Sequence, residues 1–205
     1  VAHLVGAERE GGIGEGLARS LLGGGYRVWG ISRTRPSIEH ERFVWHPADL
    51  ADIPALASLV RAFGDTIFDA VVHNAGMLGP MGSVLAIGHD DWLRTFTVNF
   101  FAPLALTRLL RPHVRPDAAW IFLSGGGAVT PLPQVGPYAI SKLALVKLVE
   151  QLALDEPRDR YYALAPGAND TEIFREHHRR SGGSLPKFTN PDDIARVVTV
   201  LINDT

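Results

Sequence analysis

Short apolar runs alternate with amphipathic stretches along the whole chain. Apolar runs bounded by breakers read as buried strands, and apolar positions recurring every three to four residues read as helices that bury one face. On this basis strands are expected at residues 1–5, 27–32, 43–46, 69–73, 119–123 and 161–165, and helices at 12–22, 54–63, 90–110, 137–154 and 191–201. The first helix is closed by Gly23-Gly24-Gly25. Pro54 stands in the first turn of the second, whose stripe is Leu56, Leu59, Val60 and Phe63. No repeat, low-complexity tract or linker interrupts the series. Alternation of this kind specifies an α/β fold, a parallel sheet covered by helices on both faces. Right-handed crossovers make it doubly wound, with ligands bound at the carboxyl ends of the strands.

A chain of 205 residues suits one domain, here residues 1–205, with a full-sized core. A net charge of −2 gives no sign of a nucleic-acid or membrane-surface partner. No apolar run approaches the roughly 20 residues of a spanning helix, and no leader pattern precedes the first strand. The sequence has no cysteine, which excludes disulfides and thiol chemistry and fits a cytoplasmic protein. The histidines are scattered, and the adjacent His177 and His178 lack metal-site spacing, so no metal is expected. The chain opens at Val1 inside a strand pattern and stops at Thr205 straight after a helix pattern, so both ends are expected to be trimmed or disordered in the parent protein.

Candidate chemistry lies in Tyr138-Ala139-Ile140-Ser141-Lys142. Residues four apart on a helix share a face, so this spacing sets a phenol beside an ammonium. The ammonium favours the phenolate and pulls an ordinary tyrosine pKa near 10 towards neutrality, which suits a general acid or base. A second candidate is the loop from Val5 to Gly14, with Gly6, Gly11, Gly12 and Gly14, between the first strand and the first helix. There a dinucleotide pyrophosphate would rest on backbone N–H groups and the helix dipole. In the helix at 90–110, Pro103 follows Asn99 by four residues and has no N–H to offer the Asn99 carbonyl, so a kink or an inserted water is expected.

With these residues the chain resembles the short-chain dehydrogenase/reductase family. The motifs follow in the family's order: the glycine loop, Asp49-Leu50, Asn74-Ala75-Gly76, Asn99, Ser124, Tyr138 with Lys142, and Pro166-Gly167 followed by Thr171. The resemblance implies a Rossmann-like sheet of strand order 3-2-1-4-5-6, without the family's usual seventh strand, and a substrate lid over residues 172–188. It implies that Tyr138 protonates a carbonyl oxygen as hydride arrives, and that Lys142 lowers its pKa and holds the nicotinamide ribose. It assigns Ser124 a hydrogen bond to the same oxygen and Asn99 a water that relays protons to the lysine. Gly6, Gly12, Ile13 and Gly14 would cradle the cofactor's phosphates. Asp49 and Leu50 would hold its adenine, Asn74, Ala75 and Gly76 its adenosine, and Pro166, Gly167 and Thr171 its carboxamide. Two departures stand out. Gly6 and Gly12 enclose five residues where the family usually has three, a spacing closer to its enoyl reductases. The family's serine stands thirteen residues before the tyrosine, which here is Gly125, one place after Ser124. The run Gly125-Gly126-Gly127 offers a way for the loop to shift and bring Ser124 into place.

The second strand ends in Gly30-Ile31-Ser32-Arg33-Thr34-Arg35 without a carboxylate, so NADP(H) is expected over NAD(H), its 2′-phosphate held by Ser32 and Arg33 with Arg9 approaching from the glycine loop. The implied substrate is a small carbonyl compound or alcohol, with Met77, Met81, Pro131, Leu132 and Phe174 as apolar walls. The resemblance also implies a homodimer or homotetramer built through the two long helices, which fits residues such as Leu143, Leu145, Val146, Leu148 and Val149 making the second apolar on more than one side. Two other readings stay open: a catalytically idle dinucleotide-binding sensor or scaffold, and an enoyl-reductase-like or dehydratase-like relative.

Overall fold

The computed structural model describes residues 2–6, 12–166, 175, 178–180 and 191–204. Arg9, Gly167, Thr171, Phe174, His177 and most of residues 172–188 lie outside the described residues. Six parallel strands form one sheet: β1 (Ala2–Gly6), β2 (Arg27–Ser32), β3 (Phe43–Pro47), β4 (Phe68–His73), β5 (Val114–Leu123) and β6 (Arg160–Leu164). Their order is β3-β2-β1-β4-β5-β6, so the winding reverses between β1 and β4. The helices are α1 (Ile13–Gly23), α2 (Ile53–Arg61), α3 (His89–Phe96), α4 (Ala102–Leu110), α5 (Gly136–Asp155) and α6 (Pro191–Asn203).

Alternation along the strands divides the core in two. On one face Val28, Ala119, Ile121 and Leu123 pack against Leu17 and Leu21 of α1 and Ile194 and Val198 of α6. On the other Phe68, Trp120 and Phe122 meet Leu56 of α2, Leu106 and Leu110 of α4, and Leu145 and Val149 of α5. These side chains are almost wholly buried, so the register of β5 is fixed from both faces.

Two elements differ from their sequence-based expectation. β5 begins at Val114, five residues early, because Val114 pairs with Phe68 before the ladder is interrupted. Asp117, at φ 64°, shifts the register, and Pro116 breaks the apolar run that marks a strand in the sequence. The helix expected at 90–110 is three pieces: α3, a π turn at Thr97–Phe101, and α4. The Ala102 N–H donates to the Thr97 carbonyl, five residues back. Pro103 thus sits just beyond a widened turn rather than at a simple kink, and Asn99 is at the middle of that turn.

His73 ends β4 and ties it to α4. Its ring lies 4.5 Å from that of Phe122 and stacks on Trp120, centroid to centroid 6.2 Å. The Thr107 hydroxyl donates its one proton to the Pro103 carbonyl at 2.8 Å, so in the 2.9 Å contact the His73 Nε2–H is the donor. Burial pushes the His73 pKa down to about 3. An unfolded histidine takes up its proton near pH 6.5, before the folded one does. The stability due to neutral His73 is therefore fully present above pH 6.5 and lost progressively as pH falls towards 3. Urea titrations between pH 7 and 4 should show the unfolding free energy of the His73→Phe variant falling less steeply than that of the unaltered chain. The difference in slope should approach about 1.4 kcal/mol per pH unit.

Candidate active site

The carboxyl ends of β2 and β4 open onto one cleft. Ile31 at the end of β2, Leu50 from the following segment, His73, Asn74 and Ala75 after β4, and Pro103 and Leu106 of α4 line it. Gly6 closes β1 opposite Ile31. Gly12 is the N-cap of α1, with Ile13 and Gly14 in the first turn, so the open N–H groups of that helix begin beside the winding reversal. Asp49 makes an Asx turn, Oδ1 accepting from the Ala51 N–H at 2.9 Å, while the cap of α2 is Asp52. Pro166 follows β6. The structure thus brings Gly6, Gly12, Ile13, Gly14, Leu50, Asn74 and Ala75 to the strand ends where a dinucleotide binds in this architecture.

Around Asn99 every amide group is used. Its Oδ1 accepts from the Met77 N–H at 2.8 Å, and its Nδ2 donates to the Met77 carbonyl at 2.9 Å and to Ser141 Oγ at 3.0 Å. Ser141 in turn donates to the Tyr138 carbonyl at 2.8 Å. One fully buried side chain therefore joins the π turn, the loop after β4 and the turn of α5 that carries Tyr138. Ser141 escaped notice in the sequence, although its place three residues after Tyr138 was the available signal. Met77, expected as an apolar wall, serves here through its main chain.

Tyr138 and Lys142 share a face of α5, with Lys142 Nζ 5.9 Å from the phenol ring centroid. Lys142 is 3% exposed and donates from Nζ to the Leu123 carbonyl at 2.8 Å. A Cβ on Gly76 would stand 3.2 Å from that Nζ and 3.6 Å from Asn99 Oδ1, so glycine lets the loop after β4 lie against the ammonium. Ser124 is also buried, and its hydroxyl donates to the Lys142 carbonyl at 2.9 Å. The residue that faces the phenol is Gly125, whose added Cβ would lie 2.6 Å from the Tyr138 hydroxyl oxygen. The glycine run has not shifted Ser124 into that place, because the Ser124 N–H donates to the Leu164 carbonyl at 2.8 Å and prolongs the β5–β6 ladder.

At the end of β2 the Ser32 hydroxyl is engaged on both sides, donating to the Thr34 carbonyl at 2.7 Å and accepting from Trp45 Nε1 at 3.0 Å. The Arg35 guanidinium lies over the Trp45 ring at 5.9 Å, and Arg33 is exposed. No cluster of metal-binding side chains occurs among the described residues. No helix among them is long and apolar enough to cross a membrane.

A family model described as enoyl-(acyl carrier protein) reductase matches residues 6–205. The chain is 30% identical to a benzil reductase ((S)-benzoin forming) of Saccharomyces cerevisiae, over 91% of this chain and 79% of that one. It is 27% identical to dehydrogenase/reductase SDR family member 4 of Homo sapiens, over 94% of this chain and 78% of that one. A short chain dehydrogenase family protein from Francisella tularensis superposes with a TM-score of 0.87 at 22% identity, over 99% of this chain and 91% of that one. An actinorhodin polyketide ketoreductase solved with NADPH superposes at 0.80, 21% identical, over 98% of this chain and 89% of that one. The glycine loop, the strand-end cleft and the Tyr138–Lys142 pair carry the same reading as these likenesses: this chain belongs to the short-chain dehydrogenase/reductase family of NAD(P)-dependent oxidoreductases.

Proposed function

We propose that the chain is an NADP(H)-dependent reductase of ketones or aldehydes, or the corresponding alcohol dehydrogenase in the reverse direction. The observation that carries this reading is the Tyr138–Lys142 pair on one face of α5, with the loop at Gly76 against the ammonium. Bound at the strand ends, the nicotinamide cofactor supplies or accepts the hydride. Tyr138 gives its hydroxyl proton to the substrate oxygen in reduction and takes it back in oxidation. Lys142, held in a low-dielectric setting, favours the phenolate that remains and so eases the transfer. Asn99 fixes the relative position of the loop after β4 and the Tyr138 turn through its three hydrogen bonds. Asp49 and Leu50 serve the adenine, and Asn74, Ala75 and Gly76 the adenosine, with Pro166, Gly167 and Thr171 at the carboxamide. The benzil reductase and polyketide ketoreductase among the similar proteins support a carbonyl substrate.

The preference for NADP(H) rests on the end of β2, where residues 30–35 supply Arg33 and Arg35 but no carboxylate. With Arg35 over Trp45 and the Ser32 hydroxyl engaged, Arg33 is the residue assigned to the 2′-phosphate, with Arg9. Leu93, Phe101, Ile140, Leu143 and Leu154 stand exposed along α3, the π turn and α5, which supports their burial in a homodimer or homotetramer.

Tyr138→Phe should lower turnover of carbonyl compounds with NADPH by about 10²–10⁴-fold while leaving cofactor affinity nearly intact, measured by cofactor absorbance and fluorescence titration. Unchanged turnover would refute the acid role. Arg33→Ala should weaken NADPH binding by about tenfold or more and leave NADH binding little changed. Equal losses for the two cofactors would remove the assignment.

A further inference from the structure

Ser124 and Gly125 occupy consecutive places at the end of β5 and face different surroundings. Trp120 and Phe122 point to the α5 side of the sheet and Ile121 and Leu123 to the α1 side, so Ser124 follows on the α5 side. The bond from its N–H to Leu164 prolongs a ladder in which Leu123 opposes Leu164. Moving Ser124 one place along would turn every buried side chain of β5 to the wrong face.

Two hydrogen bonds cross between the same two points. The Ser124 hydroxyl donates to the Lys142 main-chain carbonyl at 2.9 Å, and the Lys142 ammonium donates to the main-chain carbonyl of Leu123, the residue before Ser124, at 2.8 Å. Both side chains are at most 5% exposed. A serine hydroxyl carries one proton, and here that proton is committed to the helix. A carbonyl substrate oxygen needs donors, so Ser124 as placed has nothing to offer it. Position 125, which the family's spacing gives to serine, has no side chain at all, and the Tyr138 hydroxyl reaches to 2.6 Å from where a Cβ would stand.

We propose that Ser124 is a positioning residue, clasped reciprocally with Lys142 so that the ammonium is held beside the Tyr138 ring. Glycine at 125 admits the Tyr138 hydroxyl, which acts on the substrate oxygen without a serine partner from the β5 end. The inference rests on the proposed reductase function but concerns a different residue, and one set of variants separates the two. Benzil with NADPH serves as the probe reaction. The ionisation of Tyr138 is read from the ultraviolet tyrosinate absorbance, as the difference between chains with and without Tyr138→Phe. Ser124→Ala should lower kcat by about tenfold or less, with KM for benzil little changed. It should also raise the Tyr138 ionisation midpoint, because the turn of α5 that carries the ammonium loses its side-chain tie to the end of β5. Gly125→Ser should lower kcat, because its Cβ crowds the phenol. A loss on the order of 10²–10³ in kcat for Ser124→Ala with an unmoved Tyr138 midpoint is the signature of a direct donor and overturns the proposal. So does an unmoved midpoint with unchanged kcat, or a gain in kcat for Gly125→Ser. If the unaltered chain does not reduce benzil or other carbonyls, or Tyr138→Phe keeps full turnover, the reductase reading fails, and the titration still decides the place of Ser124.

Discussion

The site is assembled around one buried amide. Asn99 has no exposed surface and no unused side-chain hydrogen-bonding group in its three contacts with Met77 and Ser141. A buried amide left half-satisfied costs on the order of 1–3 kcal/mol, so all three partners must meet it together. The partners belong to two other parts of the chain, Met77 to the loop after β4 and Ser141 to α5, while Asn99 itself stands in the π turn. Satisfying Asn99 therefore sets the distance between the loop after β4 and the helix that carries Tyr138. The π turn makes this possible, since the widened turn seats Asn99 within the molecule, three residues before Ala102 and four before Pro103.

From that junction the rest of the arrangement follows by packing. Phe122 and Trp120 fill the space beneath His73 and α4, and the same strand delivers Ser124 and Gly125 to α5. His73 completes the bracing, its N–H on Thr107 holding the end of β4 against α4. The loop after β4 can then lie close to Lys142 only because residue 76 is glycine. In the proposed reductase the chemistry of the phenol would depend on these contacts being stiff, since a catalytic group displaced by about 1 Å loses much of its advantage.

Much of this was legible beforehand. Strand and helix alternation marks all six strands and the helical stretches between them, because apolar residues recur at the period each element imposes. The glycine loop, the Asn74-Ala75-Gly76 turn and the Tyr138/Lys142 spacing are local patterns, so they survive in one dimension. The positions of Val114 to Asp117 were not legible, because Pro116 and Asp117 break an apolar run that the sheet nevertheless accommodates. The π turn was visible only as a proline four residues after an asparagine, which signals a disturbed helix without saying how the disturbance resolves. His73 carried no signal at all, since its role comes from Thr107, Trp120 and Phe122, all distant in sequence.

The sequence by itself determined the family, the order of elements and the presence of a phenol and an ammonium one helical turn apart, because each of these is set by local spacing. The tertiary structure alone decided where the Ser124 hydroxyl points. Its hydroxyl goes to Lys142 rather than towards the phenol because the register of β5, pinned on both faces by buried Trp120, Ile121 and Phe122, fixes which of two neighbouring residues faces the cleft. A one-residue offset is small in a sequence, but in a strand it exchanges one side of the sheet for the other.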